Sequence, residues 1–187
     1  MMNLVEKYNK EVIKKMKEKF GYTNDLAVPK IQKVVLNTSF GRLTSGSTKS
    51  ESEKIYSPIV EDLALIAGQR PVITEAKKSI SAFKLREGMP VGAKVTLRGK
   101  KMNDLLGRLI HIVLPRTRDF LGLEPKTVDR EGNLSIGMKE QIVFPEVSAE
   151  NVRKIFGLEI TVVTSAKTQE EGLELFRSLG FPIKKDA

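Results

Sequence analysis

A chain of 187 residues, 40% of them hydrophobic, is long enough to bury a core of its own. It has no cysteine and a single histidine, His111, which excludes disulfides, iron–sulfur clusters, thiol catalysis and any cysteine- or multi-histidine-ligated metal. The formal net charge is +9, and nine basic residues crowd positions 70–101 against Glu75 and Glu87 alone. Charge used only for solubility needs no such concentration, so a polyanionic partner is expected, nucleic acid before others.

The first segment, residues 3–20, carries Leu4, Tyr8, Val12, Met16 and Phe20 at helical spacing with lysines on the other faces, and Gly21 stops it. It lacks the unbroken apolar core of a signal peptide, and no segment approaches the roughly 18 apolar residues of a spanning helix. A soluble, cytoplasmic protein with no membrane partner is expected.

Pro29 precedes KIQKVVLNTSF, a β-branched run that predicts a strand. Val34 and Leu36 point one way; Lys33, Val35 and Asn37 point the other. The Gly/Ser/Thr-rich stretch from Gly41 to Ser50 reads as a mobile surface loop, because the spacing of a phosphate-binding loop is absent. Ser50 and Glu53 suggest a capping box for a helix that turns Ile55, Ile59, Leu63 and Ile66 inward and ends near Gly68. PVITEA, from Pro71, predicts a second strand. Residues 76–90 then form a long basic hairpin loop closed by Gly88 and Pro90.

VGAKVTLR at 91–98 alternates most clearly. Val91, Ala93, Val95 and Leu97 belong on a core, and Gly92, Lys94, Thr96 and Arg98 make a polar, basic face. An apolar helix follows at 102–114 and Pro115 ends it; the segment 115–133 is irregular. NLSIGMKEQIVF suggests short strands, and LEITVVTS at 158–165 another. Thr168 and Glu171 make a second capping box, and the last helix buries Leu173, Phe176 and Leu179. The order α, β, α, β, β, α, β, β, α predicts an α+β fold in one domain, 1–187, with a largely antiparallel sheet and helices packed on one face. If the first and third strands are neighbours, the open face displays Lys33, Asn37, Lys94, Thr96 and Arg98 together.

Catalysis needs convergent groups, and none are evident. His111 sits on the apolar helix between Ile110 and Ile112, where a lone histidine is usually structural. Glu61 and Asp62 are adjacent and diverge on a helix. No nucleophile elbow, dinucleotide fingerprint or phosphate-binding loop is present. No enzyme, cofactor or metal site is expected.

The run LALIAGQRPVITEAKKSISAFKLREGMPVGAKVTLRG at 63–99 resembles the bacterial large-subunit ribosomal protein L-five family. VPKIQKVVLN at 28–37, LPRTRDFLGL at 114–123, GMKEQIVFPE at 137–146 and TVVTSAKTQEE at 161–171 fit the same family in the same order. The resemblance implies an antiparallel sheet with helices on one side and a ribosome-bound structural protein. It implies binding to 5S rRNA in the central protuberance beside 23S rRNA and other proteins there. It further implies an approach to the peptidyl-site tRNA and a bridge to small-subunit protein S-thirteen. On this resemblance, Lys33, Asn37, Gln69, Lys94, Thr96 and Arg98 face 5S rRNA. Lys77, Lys78, Ser79, Phe83, Lys84 and Arg86 lie in the tRNA-facing loop; Phe83 either packs under that loop, the favoured reading, or stacks on a base. Arg108, Arg116 and Arg118 fall near the intersubunit bridge. The chain departs from the family pattern at Thr38, Ser39 and Phe40, where glycines are common, and at Ser81, Ala82, Lys100 and Leu121. A free RNA-binding assembly factor on the same sheet is the alternative.

Overall fold

A computed structural model describes residues 4–118, 120–147 and 153–184. The fold is α+β. Five strands form one antiparallel sheet: β1 (Ile31–Ser39), β2 (Val72–Glu75), β3 (Pro90–Leu97), β4 (Leu134–Met138) and β5 (Leu158–Thr164), ordered β2-β3-β1-β5-β4. The first and third strands are therefore neighbours, as the open-face expectation requires. β2 and β3 form the predicted hairpin, pairing Val72 with Lys94 and Thr74 with Gly92. Four longer helical stretches accompany the sheet: α1 (4–20), α2 (Lys49–Ala67), α3 (99–116) and α4 (Gln169–Leu179). The expected start of α1 at residue 3 lies outside the described residues. The chain divides into two compact units. The first comprises Met1–Val34, Leu97–Ile136 and Thr161–Ala187, the second Val35–Thr96 and Gly137–Ile160.

In the first unit, α1 contains a π-helical turn, Tyr8–Val12, between the α-helical Leu4–Lys7 and Ile13–Phe20. The reason lies in the spacing. Apolar residues recurring every four positions drift by about 40° per step around an α-helix. One wide turn takes back about 100°, roughly one residue's rotation, and keeps the stripe on one side. Leu4, Val12 and Met16 are buried on that side. α3 repeats the device: its π-helical turn, Leu109–Val113, sits within a run that buries Met102, Leu105, Leu106, Leu109, Ile110, Val113 and Leu114. Each such side chain contributes about 1.5–3 kcal/mol. Pro115 lies inside the last turn rather than ending the helix, which runs two residues further than expected, to Arg116. Beyond it, Pro125–Thr127 forms a short 3-10 turn.

α4 packs against α1. It buries Leu175, Phe176 and Leu179 and leaves Leu173 half-buried, so the inward position is Leu175 rather than the expected Leu173. Phe176 meets Phe181 edge to face. The Thr168 hydroxyl caps the helix by accepting the Glu171 N–H, as expected. The Glu171 carboxylate also accepts the N–H of Lys167 and the hydroxyl of Tyr22. Lys19 pairs with Glu174 and Lys17 with Asp25.

An Asx turn completes this unit. The Asp129 carboxylate accepts the N–H groups of Glu131 and Asn133. Asn133 in turn accepts the Thr164 N–H, and the Thr164 hydroxyl donates to the Gly132 carbonyl. This brings Gly132 against α4. A Cβ on Gly172 would lie 2.5 Å from the Gly132 Cα, so only hydrogen fits there.

In the second unit, Phe40 is buried and stacks on Tyr56, with ring centroids 5.2 Å apart. The segment read as a mobile loop begins with a helical turn, Gly41–Thr44, whose buried Thr44 hydroxyl donates to the Pro90 carbonyl. The capping box of α2 is Thr48 with Glu51, two residues before the expected Ser50 and Glu53. Both pairs fit the pattern, and the earlier one captures the first free N–H. Ile59, Leu63 and Ile66 are buried as expected, whereas Ile55 is half-buried. Gly68 ends the helix in the left-handed region, φ 62°. β4 is the one strand of the segment read as several; Gln141–Val143 is a 3-10 turn.

The close approach in the first unit is open to test. Gly172→Ala forces backbone apart and lowers stability by about 1–3 kcal/mol; the urea midpoint should fall with the slope of the transition unchanged. The cap of α4 has a pH signature. Partial burial raises the Glu171 pKa, but the Tyr22 hydroxyl, the N–H groups of Lys167 and Thr168 and the Lys167 charge outweigh it, and the net shift is down. A depressed folded value means that its stabilisation is complete above the ordinary carboxylate range and is lost as pH falls through the folded pKa. Urea unfolding from pH 7 to pH 3 should therefore show a loss that Glu171→Gln flattens.

Candidate nucleic-acid interface

Alternation decides which side chains the strands offer to solvent. Along β1 the residues Val34, Leu36 and Thr38 are buried, while Asn37 and Ser39 are exposed and Lys33 and Val35 half-buried. Along β3 the residues Ala93, Val95 and Leu97 are buried, Lys94 is exposed and Thr96 half-buried. The assignment made from alternation holds at Lys33, Val34, Val35, Leu36, Asn37, Ala93, Lys94, Val95, Thr96 and Leu97, but Val91, expected on the core, is half-buried, and Gly92, expected on the polar face, is buried because Thr38 and Thr74 close over it.

In the second unit this face holds Asn37 and Ser39 on β1, Lys94 and Thr96 on β3, and Val72 and Thr74 on β2. The pairing of Val72 with Lys94 and Thr74 with Gly92 makes them cross-strand neighbours. Gly92 permits the closeness: a Cβ there would lie 2.6 Å from the Thr38 carbonyl oxygen and 2.9 Å from Thr74 Oγ1. Gln69 stands just beyond the cap of α2. Its Nε2 donates to the Thr96 carbonyl at 3.4 Å, which fixes an exposed amide beside β3. Lysine neutralises phosphate, and Asn, Gln and Thr can reach 2′-hydroxyls and base edges. Ser39, Val72 and Thr74 were not singled out from sequence, because cross-strand register is invisible there.

In the first unit, Lys33 ends the exposed side of its part of β1. Arg98 is exposed and begins α3 as its N-cap residue, in extended conformation. Lys100 and Lys101 follow, also exposed, and the first turn has no acidic residue. Three cations at the positive pole of a helix repel one another and the dipole, and an anion there relieves both.

The loop 76–90, in the second unit, has internal structure. Ile80 and Leu85 exchange backbone hydrogen bonds at 3.0 and 3.1 Å around the 3-10 turn Ser81–Phe83. The Ser79 hydroxyl accepts the Glu87 N–H, and the Ser45 hydroxyl donates to the Phe83 carbonyl. Lys77, Lys78, Ser79, Lys84 and Arg86 are exposed. Phe83 is 65% exposed, so it does not pack under its own loop as favoured from sequence; its neighbours at the tip hold themselves by backbone bonds and leave the ring outside. Lys84 adopts φ 51°, the left-handed region that a non-glycine residue rarely visits.

Arg116 and Arg118, in the first unit, are exposed. Arg108 is half-buried and its Nε donates to the Asp104 carbonyl; burial lowers its pKa, against the pull of Asp104. His111 is exposed. Among the described residues no three His, Cys, Asp or Glu side chains gather as a metal site, and no helix is long and apolar enough to cross a membrane.

One buried polar node escaped the sequence. Gln141, fully buried in the second unit, donates to the Lys154 carbonyl and the Asp62 carboxylate and accepts the Phe156 N–H. Burial raises the Asp62 pKa, with the Gln141 bond opposing. Nearby, Thr38 donates to the Gly157 carbonyl. These bonds hold the approach to β5. A buried glutamine in a polar-looking segment carries no sequence signal.

Residues 24–86 match the family described as ribosomal protein L5, and residues 90–183 match the C-terminus of the same ribosomal family. Among curated relatives, the large ribosomal subunit protein uL5 of Halothermothrix orenii is 49% identical over 99% of this chain and 100% of its own. Those of Desulforapulum autotrophicum and Brevibacillus brevis are 52% and 47% identical, over 98% and 97% of this chain and 99% and 98% of their own. With an α+β sheet of the expected topology and collinear identity near one half, the chain belongs to the ribosomal protein L5 family, the non-enzymatic L5 proteins of the large ribosomal subunit.

Proposed function

We propose that this protein binds 5S rRNA through the polar side of its strands and helps to build the central protuberance of the large subunit. The observation that carries the reading is the exposure of Asn37 and Lys94 on two adjacent strands, with the half-buried Thr96 beside them and Gln69 bonded to its carbonyl. Lys33 and Arg98 add charge from the first unit, and 23S rRNA and the other proteins of the protuberance are the remaining neighbours. The structured basic loop, with Lys77, Lys78, Ser79, Phe83, Lys84 and Arg86, faces the peptidyl-site tRNA. Its exposed Phe83 is suited to stack on a base. Arg108, Arg116 and Arg118 serve the bridge to small-subunit protein S-thirteen. The protein works ribosome-bound in the cytoplasm.

The direct test is filter binding of purified protein to 5S rRNA across a salt series, with tRNA and an unrelated hairpin as competitors. Binding to 5S rRNA should survive competition and weaken linearly in log salt. Arg98→Ala should weaken it by about 1–3 kcal/mol, the worth of one specific RNA contact. Equal, salt-labile binding to all three RNAs would sink the specific reading. The protein should also stay with large subunits through a high-salt wash, where an assembly factor would be released.

A further inference from the structure

The second unit holds a cavity that the strand face does not use. It measures about 760 Å³ and lies between the segment 46–56 and the hairpin loop. Its walls are joined by the Ser45–Phe83 bond at 2.7 Å and the Thr44–Pro90 bond at 3.1 Å. Such a volume falls in the range that encloses a small ligand. Tyr56, Ile73, Leu85 and Met89 supply apolar lining. Around them stand two cations, Lys84 and Arg86, and two carboxylates, Glu75 and Glu87.

Those four charges are the informative feature. They line one cavity, yet none forms an ion pair with another described side chain. Ser52, also lining it, is 1% exposed and its hydroxyl has no hydrogen-bond partner. Opposite charges kept apart around an apolar lining suit a ligand that is flat and apolar in the middle, rich in N–H donors at one edge and anionic at the other. A guanine nucleotide is such a ligand. Its N1–H and N2 amino group can both donate to one carboxylate, whereas the same edge of adenine presents an acceptor that a carboxylate repels. Its phosphate suits Lys84 and Arg86.

We propose that this cavity is a pocket for one unstacked guanine nucleotide of an RNA strand, read by Glu87 or Glu75 and anchored by Lys84 and Arg86. This deepens the RNA-binding reading and rests on it. The test is a titration of the full-length, isotope-labelled protein with GMP, AMP and inorganic phosphate, followed by amide NMR. GMP should shift Gly46, Ser47, Lys84 and Gly88 saturably, with AMP about tenfold weaker, the worth of a charge-assisted hydrogen bond. Glu87→Gln and Glu75→Gln together should remove that preference; both residues are exposed, so the spectrum should otherwise stay folded. Lys84→Gly, which also relieves the left-handed backbone, should weaken both nucleotides alike. No saturable shift at these amides, or equal affinity for GMP and AMP, overturns the pocket. Filter binding of the same samples to 5S rRNA separates the two failures: retained 5S rRNA binding means that the pocket alone is wrong.

Discussion

A strand sends successive side chains to opposite faces, and in β1 and β3 only one of those faces is apolar. The strand-face reading of this protein depends on that constraint. Val34 and Leu36 must be buried, so Lys33 and Asn37 cannot be. Ala93, Val95 and Leu97 must be buried, so Lys94 and Thr96 turn outward. A slip of one residue would bury lysine and expose leucine together, so the register of these strands is strongly specified. The polar face is thus set by the same constraint that builds the core on its reverse side.

The polar side also depends on small residues and directed hydrogen bonds. Gly92 lets Thr38 and Thr74 approach where any side chain would collide. Gln69 is tethered to a β3 carbonyl rather than left to wander, so less of its rotamer freedom remains to be lost on binding. The loop is organised likewise: Ile80 and Leu85 close its tip, and Ser45 ties the tip to the turn before α2. A charged loop with this much internal bonding offers its lysines from defined positions.

The strands and helices were legible because their periodicities are clean: alternation at 91–98, apolar spacing at 102–114, glycines at 21 and 68. Where two signals overlapped, the sequence misled. Thr48–Glu51 and Ser50–Glu53 both fit a cap, and Leu173 and Leu175 both fit an inward stripe; tertiary packing made each choice. The exposed side of β1 and β3 was legible by the same alternation, while the adjacency of the two strands was not, since pairing is non-local. Phe83 shows the limit most plainly. An aromatic ring argues for burial, but a tight turn held by backbone bonds gives it nothing to pack beneath. Gln141 left no trace, because its two shorter bonds go to backbone groups that every residue possesses and its side-chain partner Asp62 lies 79 positions away.

The wide turns in α1 and α3 bear on how chains of this kind can vary in length. A π-helical turn is an α-helix that has absorbed one additional residue without rotating the turns beyond it. Removing a residue from Tyr8–Val12 returns that stretch to the ordinary pitch and leaves Met16 aimed inward as before. In an unbroken α-helix the same deletion would swing every later side chain by about 100°. Each of these two helices therefore contains a point at which a single codon can be lost while the interior stays in register.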